Sequence, residues 1–140
     1  MKKIFLILVA IIGFGISVNA QVSFSCYYRE YCDWNDYTQR YETNCKGYEE
    51  SSLFEMNEKE TMFYHTCSSI KSTYFVKEKE YDSKNDVYTY YVVSDAGNKY
   101  YVVFDLNNKQ IRFVILSSGQ LLRFYVKNIF WFNRSIQRLK

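Results

Sequence analysis

The sequence predicts an all-β fold. It is an antiparallel up-and-down meander of about seven strands, closing partly or fully into a barrel, with a disulfide-linked N-terminal segment. Three observations carry this. Residues 72–127 hold runs rich in Tyr, Val, Phe, Ile and Thr, which fit a pleated, half-buried surface and lose rotamer freedom on a helix. The breaks between runs are short and polar: Asp82-Ser83-Lys84-Asn85, Asp95-Ala96-Gly97, Asn107-Asn108 and Ser117-Ser118-Gly119-Gln120. Such residues tolerate hairpin backbone angles, and short turns force antiparallel pairing between neighbours. Finally, all four cysteines, Cys26, Cys32, Cys45 and Cys67, precede the strand train.

The chain opens with Lys2-Lys3, an apolar run over 4–18 and the small-residue site Val18-Asn19-Ala20, the form of a bacterial-type secretory signal. Cleavage after Ala20 is expected, leaving residues 21–140 as one β domain, secreted or periplasmic. The apolar run is shorter than the roughly 20 residues a membrane helix needs, and no later stretch is long and apolar enough to span. Losing Lys2 and Lys3 lowers the net charge from +3 to +1, leaving 16 basic against 15 acidic residues. A bulk attraction to nucleic acid or anionic membrane is therefore not expected.

In an exported chain four cysteines read as two disulfides, with three pairings open. If 22–31 and 37–45 form a hairpin around Asp33-Trp34-Asn35-Asp36, Cys26 faces Cys45 and Cys32 is left for Cys67. A metal site is not expected. No Cys-x-x-Cys occurs, and His65, the single histidine, lies only two residues from Cys67. The 33–36 turn lacks the glycine and terminal Glu of a calcium loop.

Two further strands, 50–56 and 60–66, flank Asn57-Glu58-Lys59. Within the train, register follows from side-chain alternation. A two-residue loop at Asn107-Asn108 pairs Phe104 with Ile111, Val102 with Phe113 and Tyr100 with Ile115, an apolar face; Asp105–Gln110 and Val103–Arg112 form the wetter one. A four-residue loop at 117–120 pairs Phe113 with Phe124. Gly97 closing a loop at 95–97 pairs Tyr100 with Val92, Val102 with Tyr90 and Phe104 with Tyr88; a register burying Val87, Thr89, Tyr91 and Val93 stays open. Strict alternation puts Glu78 and Glu80 on the face of Tyr88 and Tyr90, so either that face is wet or the register slips. In the tail, 129–140, the triplet Phe130-Trp131-Phe132 is expected to pack on the sheet end.

The catalytic inventory is thin. His65 has Ser68 and Ser69 nearby but no marked acid or oxyanion hole. Glu78 and Glu80 lie about 7 Å apart on one strand face, a spacing compatible with glycoside hydrolysis. Lys77 and Lys79 alternate with them, as on a charged strand that resists aggregation. A hydrolase is thus a second alternative, and a non-enzymatic protein without cofactor is the expectation.

Fifteen tyrosines and eleven phenylalanines exceed what a core of this size needs. Tyrosine joins an apolar face to a hydroxyl and suits recognition surfaces. Tyr74, Tyr88, Tyr90 and Tyr100 are the inner-face candidates for contacting a small apolar ligand, with Tyr91 and Tyr101 on the outer face. Cross-strand ring pairing that only stabilises the sheet is the plainer account.

The meander resembles calycin-type barrels, although the Gly-x-Trp motif of lipocalins is absent. Ala96-Gly97-Asn98-Lys99-Tyr100 resembles the Ser-Gly-x-x-Tyr loop of small disulfide-bearing periplasmic lysozyme inhibitors, departing at Ala96. That resemblance, over five residues, implies an interaction turn built on Gly97, Lys99 and Tyr100. The sequence therefore predicts an exported β-barrel-like binding or interaction protein, its partner a small apolar ligand or another protein.

Overall fold

The computed structural model describes residues 20–68 and 70–131. The signal-like segment up to residue 19, Ser69 and the tail 132–140 lie outside the described residues. The described residues form ten strands: β1 Ala20–Cys32, β2 Trp34–Asn35, β3 Arg40–Tyr41, β4 Lys46–Asn57, β5 Met62–Cys67, β6 Ile70–Asp82, β7 Val87–Ser94, β8 Lys99–Asp105, β9 Gln110–Ile115 and β10 Leu121–Trp131. Eight of them close a barrel in the order β1-β10-β9-β8-β7-β6-β5-β4, while β2 and β3 form a separate two-stranded ear. All pairings are antiparallel between successive barrel strands, with β1 against β10 as the closing seam. Closure removes exposed sheet edges, the usual route to aggregation.

The β7–β8 and β8–β9 registers follow side-chain alternation as predicted: Tyr88↔Phe104, Tyr90↔Val102 and Val92↔Tyr100, then Val102↔Phe113 and Phe104↔Ile111. Gly97 adopts φ +87, the left-handed value its loop requires. In the β9–β10 hairpin the pairing slides by two residues, so Phe113 meets Leu122 and Ile111 meets Phe124. The reason is a four-residue turn that begins one residue earlier, over 116–119, held by Ile115 N–H donating to the Gln120 carbonyl and Gly119 N–H to that of Ile115. A shift of two leaves every side chain on its predicted face.

A bulge at Lys77 settles the Glu78/Glu80 conflict. Val76 still pairs with Val92, but Glu78 pairs with Tyr91 and Glu80 with Thr89, on the outer wall. A second bulge at Tyr27 turns Arg29 and Tyr31 onto the inner face, opposite Phe124 and Leu122.

The disulfide joins Cys32 to Cys45, not Cys26 to Cys45, and Cys26 and Cys67 are free thiols. The hairpin returns later than the sequence reading placed it. Strand β4 starts at Lys46, so Ser52 stands opposite Cys26 and opposite Cys67 on its other side. Cys45 then meets Cys32 at the base of the ear. Peptide mapping without reductant should recover the 32–45 link. Burial pushes the Cys26 thiol up to about 12, so alkylation of the native protein should reach half-buried Cys67 first and Cys26 only after unfolding. Removing the disulfide should cost about 3 kcal/mol in the loop-entropy model.

The interior is apolar and filled. Phe24, Phe54, Phe63, Phe104, Phe113 and Phe124 are buried and pack ring on ring across the barrel. The outer wall carries Glu30, Glu78, Glu80, Arg112 and Arg123, the reverse of a transmembrane barrel, whose lipid-facing residues are apolar. Among the described residues no helix is long and apolar enough to cross a membrane.

Candidate functional site

The Phe plug divides the barrel into two mouths. At one, the β1–β4, β5–β6, β7–β8 and β9–β10 connections gather; at the other lie the remaining turns, the start of β1 and the end of β10.

The first mouth is polar. Arg29, turned inward by the bulge, donates from Nε to Glu50 Oε1 at 2.9 Å and from a terminal nitrogen to the same oxygen. Its other terminal nitrogen donates to the Tyr31 hydroxyl at 3.2 Å. The guanidinium lies 5.3 Å from the Phe124 ring centroid and 5.5 Å from that of Tyr48. Burial disfavours its charge, but the Glu50 hydrogen bond and surrounding oxygens outweigh this and raise its pKa. Truncating either partner would leave the other's charge stranded. Beneath the pair, His65 stacks on Phe54 at 4.2 Å and meets Phe124 edge-on at 4.9 Å. Burial, with the Arg29 charge second, lowers its pKa to about 4, so the imidazole is neutral near pH 7. Among the described residues its Nε2 has no hydrogen-bond partner.

The second mouth is an apolar cleft lined by Val22, Phe24, Met56, Phe104, Leu106 and Trp131, together with Tyr88, Tyr90 and Glu60. Its cavity volume of about 20 Å³ accommodates a water molecule. Glu60, held at φ 56, accepts a hydrogen bond from the Tyr90 hydroxyl at 2.8 Å and pairs with Lys79 at 3.4 Å. Burial first, then the Glu60 charge, raises the Tyr90 pKa strongly.

The four inner-face tyrosines do point inward, but they divide between the mouths. Tyr74 and Tyr100 meet edge-on at 5.7 Å beside Phe113 on the polar side, where burial holds the Tyr74 hydroxyl up at about 12. Tyr88 and Tyr90 stack at 6.4 Å on the apolar side. The rings are wall and plug, not one pocket. In the 95–98 turn, Gly97 and Lys99 are exposed while Tyr100 is drawn into the barrel against Phe113 at 5.6 Å. Glu78 and Glu80 are exposed on the outer wall.

Glu30, Cys32 and Cys45 bring a carboxylate and two sulfurs within 4.8 Å. The two sulfurs are bonded to each other and so offer no thiolate, and Glu30 Oε1 accepts from Arg123 at 2.6 Å and Tyr125 at 2.7 Å. Arg29 and Glu50 are the inner residues that sequence reasoning missed. Strict alternation from Cys26 puts Arg29 outside, and nothing in the local sequence marks the bulge that brings it in. No protein-family model, curated protein or solved structure matches this chain.

Proposed function

We propose that the protein is an exported, non-enzymatic interaction protein that acts by contact through its outer surface. The observation that carries this reading is the Phe plug: Phe54 and Phe63 are 0% exposed and Phe113 and Phe124 1%. A lipocalin-like role needs a hollow interior, since ligand pockets of drug size run to about 300 Å³ or more. At the polar mouth the nitrogens of Arg29 are engaged by Glu50 and Tyr31. The disulfide fits an oxidising, extracytoplasmic compartment. Cleavage after Ala20 would leave β1 intact from Gln21 onward, so the barrel seam survives processing.

Native mass spectrometry of the protein recovered from the exported fraction of its own host tests the reading. The expected result is a polypeptide beginning at Gln21 with no stoichiometric small molecule attached. A bound ligand that survives gentle desolvation would overturn it.

A further inference from the structure

The outer wall over β5–β8 carries an aromatic patch that none of the described residues covers. Phe75 is 42% exposed and Tyr101 46%. Register places Met62, Phe75 and Val93 in one row across the strands, and Tyr91, Tyr101 and Val114 in the next. The Tyr91 and Tyr101 rings pack at 5.5 Å, which makes the second row a rigid ledge. Isolated exposed rings are ordinary on a protein surface, but contiguous ones mark an interaction site.

The charges around this patch differ in sign from end to end. Toward the polar mouth two lysines, Lys71 and Lys99, stand against one acid, Asp95; toward the apolar mouth two acids, Glu78 and Glu80, stand against one lysine, Lys77, with Lys79 paired to Glu60. Lys71, Lys99, Glu78 and Glu80 are all exposed. Lys71 lies over the Tyr64 ring at 4.5 Å, so it borders the aromatic surface directly. Among the described residues none of these four charges takes part in an ion pair. A two-fold axis through the patch, normal to the wall, would carry the lysine side of one chain over the glutamate side of another.

We propose that this wall is an isologous interface between two copies of the chain. Its core would be Phe75, Tyr91 and Tyr101, and its rim would set Lys71 and Lys99 against the partner's acidic side. Self-complementarity is what a two-fold interface demands: the same patch must present both halves of each contact. An aromatic centre with a charged rim is the usual anatomy of such surfaces. A different protein would require no reversal of charge sign across the patch, and the reversal is what favours a second copy. The inference deepens the contact reading above, since it names the partner of the outer surface.

Sedimentation velocity on the exported protein across a wide concentration range tests it. The wild type should show a reversible monomer–dimer equilibrium. Tyr101→Ser should weaken dimerisation strongly, and Lys99→Glu or Glu78→Lys by about tenfold or more each, because each sets like charges together. Mixing the Lys99→Glu chain with the Glu78→Lys chain should restore dimerisation, as both rim contacts then pair opposite charges. Circular dichroism shows that each variant remains folded. A wild type that stays monomeric, variants that dimerise undiminished, or a mixture that fails to recover would each overturn the inference. A ligand-loaded barrel in the mass-spectrometric experiment would overturn the contact reading and leave this result standing, so the two failures are distinguishable.

Discussion

Phe54→Ala should lower the unfolding free energy by about 3–5 kcal/mol, read from urea titrations followed by tryptophan fluorescence. Phe54 is fully buried and sits at the centre of the plug. Its ring stacks on His65, meets Phe124 edge-on at 5.0 Å, and lies 5.9 Å from Phe113 and 6.3 Å from both Phe63 and Phe104. Those neighbours project from different strands, so they cannot collapse into the void without moving the wall. Domains of this size are stable by only about 5–15 kcal/mol, so the loss is a large share. The same variant reports on the filled interior. An apolar cavity lined by rings should take up benzene, which would then raise the stability of Phe54→Ala and not of the wild type. A cost below about 1 kcal/mol would show that the ring is not part of the plug.

The second large effect is acid sensitivity through His65. Its folded pKa of about 4 lies below the usual histidine value of about 6.5. Burial is the main cause, and the Arg29 charge adds to it. Between those two values the unfolded chain binds a proton that the barrel does not. The contribution of His65 to stability is therefore fully present above the window and lost as pH falls through it. The size is about 3 kcal/mol if both values hold. Unfolding free energies at pH 7 and about pH 4.5 measure it. Because Asp82 and Asp105 are also held low, by hydrogen bonds that outweigh desolvation, carboxylates add their own loss toward the bottom of the range. His65→Phe isolates the histidine: its pH slope across the window should be much shallower. At pH 7 the variant should be at least as stable as the wild type, since it deletes a buried nitrogen without a partner. An unchanged slope would remove His65 as the cause.

How far the fold could be read from the sequence depended on whether a strand kept its period. In β8 and β9 alternation is unbroken and the turn is Asn107-Asn108, so residue-by-residue pairing was legible; for β7 two registers stayed open, and the structure takes the one set by Gly97. In β1 and β6 an extra residue interrupts the period at Tyr27 and Lys77, and every side chain beyond it changes face. A bulge is the answer of the whole sheet to curvature, with no residue type of its own to announce it. Arg29 went unseen for that reason, and the two readings of Glu78 and Glu80 stayed open. The disulfide failed on the same ground. One hairpin boundary, Lys46 in place of Tyr37, decides whether Cys45 faces Cys26 or Cys32.

By itself the sequence determined the antiparallel meander and which residues of β8 and β9 face inward, because side-chain period and turn chemistry are local properties. Only the tertiary structure decided that β1 closes the barrel against β10, that the aromatic surplus fills the interior, and that Arg29 caps one mouth. Closure and filling depend on the summed tilt, stagger and side-chain volume of eight strands at once, which no single stretch of chain encodes.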